Sequence, residues 1–363
     1  MSFSDISYMH RALELAKRAR LNCPPNPAVG CVIVKDRRII GEGFTQKTGE
    51  AHAEVMALRD AASRGENVEG STVYVTLEPC SHYGRTPPCA LGLINAKVAR
   101  VVAALKDPNP LVSGKGLKML EEAGVKVECG LGAEGAEEIN RGFLKRQREG
   151  LPWVRTKMAM SLDGNTALSN GQSQWITSEE ARHDGHFWRA ISGAVLTGAG
   201  TVSADNPLMS ARLEGVERQP LKVVVDSNLS LSPDLRIFQE GRTLLVCAHY
   251  DIVRAEALES MGVEVIELCG ENGKVDLKAL MKELARREIN DVHVEAGPRL
   301  NGALAMQNLI DEYIVYVAPV FLGNGRRLLD IPALTDLREG VALEFTDIEK
   351  VGPDLRLLLR PSK

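Results

Sequence analysis

The segment "REGLPWV", residues 148–154, constrains the fold most, because one layered pattern runs up to it and a second starts beyond it. Upstream, short apolar runs alternate with helical periodicity: "AVGCVIV" at 28–34, "EVMALRDAA" at 54–62, "STVYVTL" at 71–77, "ARVVAAL" at 99–105 and "VKVEC" at 125–129. One charged helix over "AEGAEEINRGFLKRQREG" follows. Downstream, "WVRTKMAMS" opens a new series through "GAVLTG", "LKVVVD", "TLLVCA", "GVEVIEL" and "DVHVEAG". The series closes with "DEYIVYVAPVF", "VALEFTDIEKV" and "DLRLLLR". Gly150 and Pro152 interrupt the chain between the two series, as at a domain boundary. The 363 residues therefore read as two α/β domains, 1–149 and 150–363, in keeping with the limit of about 250–300 residues on a single core. The pattern contains no internal repeat and no low-complexity tract.

Charge and composition narrow the partners. Lys+Arg 44 against Asp+Glu 48 gives a formal charge of −4, without a basic tail or stripe, which argues against nucleic acid or an anionic membrane. A small soluble substrate fits better. No apolar run approaches about 18 residues, and "MSFSDISYMHRALELAKRA" reads as an amphipathic helix rather than a signal peptide, so a cytoplasmic location is expected. Seven cysteines, an odd number, suit reduced thiols engaged in metal binding or packing rather than a disulfide framework.

Two of those thiols stand in "VYVTLEPCSHYGRTPPCA": Cys80 after a strand, Cys89 at the start of the helical run "CALGLINA". The end of a strand is where α/β sites form, and a helix N-terminus favours a thiolate. Upstream, "GEAHAEVMAL" opens a helix with His52 and Glu54. One His and two Cys leave a fourth coordination position open, as in catalytic zinc sites, with Glu54 free to move protons. The pattern matches the zinc-deaminase signature His-x-Glu followed by Pro-Cys-x-x-Cys, except that eight residues separate the cysteines. Cys23, Cys31, Cys129, Cys247 and Cys269 carry no such pattern and read as packing residues. His183 and His186, three apart in "EEARHDGHFW", read as a solvated helix face.

The strings "TLEPCSHYGRTPPC", "NPAVGCVIV" and "DPNPLVSGKG" closely resemble the deaminase half of the bifunctional riboflavin-biosynthesis deaminase-reductase family, whose cysteine spacing is this wide. "KMAMSLDGNTA", "SQWITSEEAR", "GAGTVSADNPLMSAR" and "VEAGPRLNGAL" are similar to its reductase half. The resemblance implies a cytidine-deaminase-like α/β/α domain followed by a dihydrofolate-reductase-like α/β domain. It implies zinc-dependent deamination of a diaminopyrimidinone bearing a phosphoribosylamino arm, then reduction of the ribosyl arm to ribityl by NADPH. By resemblance His52, Cys80 and Cys89 would bind Zn2+ and Glu54 would shuttle protons. His82, Arg85, Asn109 and Lys115 would touch substrate or phosphate, Lys115 in a "GKG" loop whose small residues let backbone donors approach an anion. Ala159, Trp175, Thr201, Asp205 and the run Gly297, Pro298, Arg299, Leu300, Asn301, Gly302, Ala303 would line the NADPH site. Ser173, Arg189, Met209, Arg212 and Glu295 would hold the reductase substrate. A homo-oligomer is also expected.

The residues alone leave more open. The second half has no G-x-G-x-x-G, and shows only a strand, Gly297-Pro298 and a helix from about Arg299, an arrangement that suits a phosphate. A nucleoside or tRNA deaminase fused to an unrelated α/β domain is one alternative, opposed by the wide spacing and the absent basic surface. A zinc-binding regulatory module is another, opposed by the intact Glu54.

Overall fold

The computed structural model describes residues 3–81, 87–109 and 113–362. The chain divides into two compact units, 1–150 and 151–363.

In the first unit the expected amphipathic helix is α1 (Phe3–Ala19), and the run at 28–34 becomes β1 (Gly30–Lys35). A strand absent from the sequence reading follows, β2 (Arg38–Phe44). Asp36 and Arg37, both left-handed at φ 49° and 62°, make the two-residue turn that pairs it antiparallel with β1. Gly41 and Gly43 interrupt its apolar pattern for a steric reason. Helix α2 (Ala53–Ser63) lies so close that a Cβ on Gly41 would sit 2.4 Å from the Ala57 carbonyl oxygen, and one on Gly43 2.4 Å from that of Ala53. These contacts fix the helix that His52 and Glu54 begin. The unit continues through β3 (Thr72–Val75), α3 (Cys89–Asn95), β4 (Arg100–Ala103), α4 (Lys115–Glu122) and β5 (Lys126–Cys129). Strand order is β2-β1-β3-β4-β5, with β3, β4 and β5 parallel. The charged stretch expected as one helix is two, α5 (Ala133–Ile139) and α6 (Arg141–Glu149). Asn140 separates them because its buried amide is bound to the backbone of Ala28, accepting from its N–H at 2.8 Å and donating to its carbonyl at 2.9 Å.

The second unit runs β6 (Trp153–Ser161), β7 (Asn165–Leu168), α7 (Glu179–Ile191), β8 (Ala194–Gly198), α8 (Ala199–Asp205), β9 (Leu221–Val225), α9 (Arg236–Gln239) and β10 (Thr243–Cys247). It continues with α10 (Ile252–Glu259), β11 (Val263–Glu267), α11 (Leu277–Arg286), β12 (Asp291–Val294), α12 (Pro298–Met306), β13 (Glu312–Ala318), β14 (Gly325–Arg327), β15 (Leu343–Val351) and β16 (Asp354–Pro361). The nine-stranded sheet is ordered β11-β10-β9-β8-β12-β6-β13-β16-β15, while β7 and β14 form a small sheet of their own. Strands β8, β12, β6 and β13 are parallel neighbours, so the segments after Gly198, Val294 and Ser161 gather at one sheet edge. Helix α12 starts one residue earlier than expected, with Pro298 in its first turn and Gly297 as cap. Among the described residues, no helix is long and apolar enough to cross a membrane.

Candidate active sites

His52 is the N-cap residue of α2 and Cys89 opens α3, while Cys80 lies in the segment after β3. These elements bring three donor atoms within 4.8 Å of one another. His52 Nδ1 lies 3.2 Å from Cys89 Sγ and 3.7 Å from Cys80 Sγ, so Nδ1 is the nitrogen turned inward. The Cys89 backbone N–H donates to Cys80 Sγ at 3.3 Å. Hydrogen bonds from Cys89 and His52 lower the Cys80 pKa, despite burial, and the same bond to Cys80 raises that of Cys89. Two cysteine sulfurs and an imidazole nitrogen turned toward one another are a donor set that fits Zn2+ with one position left over.

Glu54 is buried beside this triangle, 4% exposed. Burial raises its carboxyl to about 7, with the charge on Cys80 pushing the same way. A proton is therefore held loosely enough to be exchanged near neutral pH.

The loop carrying Asn109 and Lys115 is attached to the same region through Glu78. One expectation changes here. The N–H groups of Gly114 and Gly116 in the "GKG" loop donate to the Glu78 carboxylate, at 2.9 and 2.8 Å, so the anion they approach is the protein's own. His82 and Arg85 lie outside the described residues.

In the second unit, Arg189 of α7 and Glu295 after β12 form a two-point ion pair, Nη2 to Oε2 at 2.7 Å with Nε on Oε1. Burial pushes the Glu295 pKa up, but Arg189 and the neighbouring His293 ring, 3.2 Å from Oε1, hold it well below the usual carboxylate range. Arg189 also donates to the Ser210 carbonyl at 3.1 Å, and Arg212 Nη1 reaches the Ser210 hydroxyl at 3.3 Å. Met209 beside them is buried with φ 56°, a left-handed conformation that few bulky residues adopt. The gathered residues Arg189, Met209, Arg212 and Glu295 thus form one cluster. The histidine pair splits: His183 is exposed, whereas His186 is half-buried in this cluster and accepts the Arg212 N–H at 3.3 Å. Burial, with Arg189 and Arg212 nearby, lowers its pKa to about 4.

Gly297 caps α12 and stands beside α8, where a Cβ on it would lie 3.8 Å from Thr201 Oγ1. Pro298, Arg299, Leu300 and Ala303 follow it in the same helix, and Leu300 lies 3.4 Å from the Cβ position of Gly198. Asn301 and Gly302 point into the protein. Asn301 accepts from Thr156 Oγ1 at 3.0 Å and donates to the Ala296 carbonyl at 2.9 Å, and a Cβ on Gly302 would lie 2.1 Å from the Asp330 carbonyl oxygen. Ala159 lies mid-sheet opposite Tyr316. Ser173 and Trp175 lie between β7 and α7, with Trp175 69% exposed and the Arg182 guanidinium 4.4 Å over its ring. Asp205 ends α8, exposed.

The sequence reading missed Lys157. It projects from the same face of β6 as Ala159, with Nζ 5.5 Å from the Tyr316 ring centroid. Burial lowers its pKa while Glu295 opposes the shift. A lysine midway along the strand "WVRTKMAMS", two residues beyond Arg155, was the available signal.

Comparison with known proteins supports both halves. Residues 3–105 match the cytidine and deoxycytidylate deaminase zinc-binding region, and residues 152–357 match the RibD C-terminal domain. The chain is 47% identical over 369 residues to riboflavin biosynthesis protein RibD of Escherichia coli, covering 98% of this chain and 99% of that one. It is 45% identical to the Haemophilus influenzae protein of the same name, covering 99% and 98%. Among solved structures, Acinetobacter baumannii RibD superposes with a TM-score of 0.91 at 42% identity over 99% of each chain. A Thermotoga maritima diaminohydroxyphosphoribosylaminopyrimidine deaminase/5-amino-6-(5-phosphoribosylamino)uracil reductase does so at 0.88 and 32%, again over 99% of each. This chain belongs to the RibD family of riboflavin biosynthesis proteins.

Proposed function

We propose that the two side-chain constellations divide the work of a bifunctional enzyme of riboflavin biosynthesis, residue by residue. The chain is a zinc-dependent deaminase and an NADPH-dependent reductase. It removes the 2-amino group of 2,5-diamino-6-(5-phosphoribosylamino)pyrimidin-4(3H)-one as ammonia, then reduces the ribosyl arm to give 5-amino-6-(5-phosphoribitylamino)uracil.

The observation that carries the deaminase assignment is the triangle of His52 Nδ1, Cys80 Sγ and Cys89 Sγ with Glu54 buried beside it. Those three residues would hold the zinc ion, which when bound would supply Lewis acidity and make water nucleophilic at neutral pH. Glu54 takes a proton from the attacking water and returns one to the leaving amine, a cycle suited to a carboxyl near 7. Asn109 and Lys115 hold the substrate.

In the reductase unit NADPH supplies the hydride. Gly297, Pro298, Arg299 and Thr201, with Ala159, Leu300 and Ala303, shape its site at the shared sheet edge, and Asn301 and Gly302 brace it from within. Trp175 and Asp205 complete the rim. Glu295, ionised against Arg189, orients the hydroxyls of the arm, with Ser173, Met209 and Arg212 around it. Lys157 delivers the proton that accompanies the hydride, since its burial weakens its hold on that proton.

The enzyme works in the cytoplasm as a homo-oligomer. The edge strand β15 supports this: Phe345 and Ile348 on it are 61% and 58% exposed. A single-chain mass by light scattering would contradict it. The activity is tested by supplying the diaminopyrimidinone phosphate and NADPH to purified protein. Ammonia release and NADPH loss should appear together, and loss of either signal refutes the pairing.

A further inference from the structure

Glu78 is 4% exposed and stands two residues before Cys80. Its carboxylate accepts four backbone N–H groups: Oε2 takes Asp107 at 3.0 Å and Gly114 at 2.9 Å, and Oε1 takes Gly116 at 2.8 Å and Leu117 at 3.3 Å. The donors to Oε2 are the two ends of segment 107–114. Those to Oε1 belong to the first turn of α4, where backbone N–H groups have no partner within the helix. One side chain thus closes a loop, caps a helix and fastens both to the segment that carries Cys80. A second contact makes the same joint from the other side: a Cβ on Gly116 would lie 1.9 Å from the Pro79 carbonyl oxygen, so the α4 backbone seats directly on the residue before Cys80.

We propose that Glu78 is a positioning residue of the deaminase, setting the substrate-holding residues Asn109 and Lys115 in fixed register with the metal-binding segment. The proposal rests on the reading of those two residues as substrate contacts. Register passes through a short chain of bonds. Glu78 holds the Asp107 N–H, and Asp107 Oδ1 in turn accepts the Asn109 N–H at 2.8 Å. Lys115 lies between the two glycines whose N–H groups Glu78 binds. Loosening the joint leaves His52, Cys80, Cys89 and Glu54 in place but lets the binding loop wander relative to them. The loss then falls on substrate binding rather than on proton transfer.

The test uses the full-length zinc-loaded protein in two variants, Glu78→Gln and Gly116→Ala, which disturb the joint from opposite sides. Zinc content, KM and kcat for ammonia release, and NADPH oxidation with the already deaminated pyrimidine are measured on each. The expected result is KM raised by roughly tenfold or more, as loss of charged hydrogen bonds implies. Zinc content and reduction should match wild type, and kcat should stay within about threefold. Unchanged KM in both variants overturns the proposal, as does loss of zinc with kcat collapsing at unchanged KM. If Glu78→Gln does not fold, Gly116→Ala decides by the same readouts. Asn109→Ala and Lys115→Ala, run in parallel, separate the two layers. Should they leave KM at the wild-type value, the substrate contacts themselves are misassigned; should they raise it while the joint variants do not, the positioning role alone fails.

Discussion

Arg189 and Glu295 meet in a two-point ion pair across the α7–β12 joint, with side chains only 16% and 15% exposed. Removing Arg189 leaves the enclosed Glu295 carboxylate with the His293 ring as a remaining charge-stabilising neighbour, and breaking so enclosed a pair costs about 3–5 kcal/mol. Arg189→Ala should therefore lower the melting temperature of the reductase unit and abolish reduction, while ammonia release stays at the wild-type rate. Thermal unfolding followed alongside both activities checks this. An Arg189→Ala protein of unchanged stability would show that the pair is looser than its geometry.

Gly302 separates packing from cofactor contact. A Cβ there would lie 2.1 Å from the Asp330 carbonyl oxygen, so backbone must move to admit it. Gly302→Ala should lower the melting temperature by several degrees without NADPH present, since overpacking costs typically about 1–3 kcal/mol. NADPH protection should weaken as a consequence of the displaced helix. Normal stability with selective loss of NADPH protection would instead make Gly302 a direct contact.

His186 carries a pH signature. Its folded-state pKa is lowered to about 4 from an ordinary 6.5 by burial and by Arg189 and Arg212. Above pH 6.5 the ring is neutral in both folded and unfolded chains and contributes no pH dependence. Between 6.5 and 4 the unfolded chain binds the proton and the folded one resists, so stability falls on acidification across that window. His186→Gln should flatten the melting temperature against pH over this interval. An identical slope in the variant would place the titrating group elsewhere.

The legible and the hidden parts of this molecule differ for physical reasons. His52, Cys80 and Cys89 could be read because metal chemistry demands particular atoms at helix and strand ends, and the structure brings those three donor atoms together, with Glu54 buried two residues beyond His52. Strand β2 escaped because Gly41 and Gly43, required by the approach of α2, erase its apolar alternation. The break at Asn140 depends on a bond to Ala28, distant in sequence, which no local propensity records. Glu78 and Lys157 were overlooked for a related reason. A carboxylate that binds backbone N–H groups has no side-chain partner to betray it, and a lysine in a strand acquires meaning only from the Glu295 and Tyr316 that neighbouring strands bring near.

The separation of two chemistries between two units is tested most directly by Glu54→Gln. The proposed metal ligands His52, Cys80 and Cys89 lie in the first unit and the Arg189–Glu295 cluster in the second, so the two sets of side chains should fail independently. Elemental analysis should find wild-type zinc in Glu54→Gln and none in Cys80→Ala, because Glu54 is not a ligand. Ammonia release by Glu54→Gln should fall by roughly 10²–10⁴-fold. NADPH oxidation with the already deaminated pyrimidine should remain at the wild-type rate. Deamination at near wild-type speed, or loss of reduction together with deamination, would contradict the assignment.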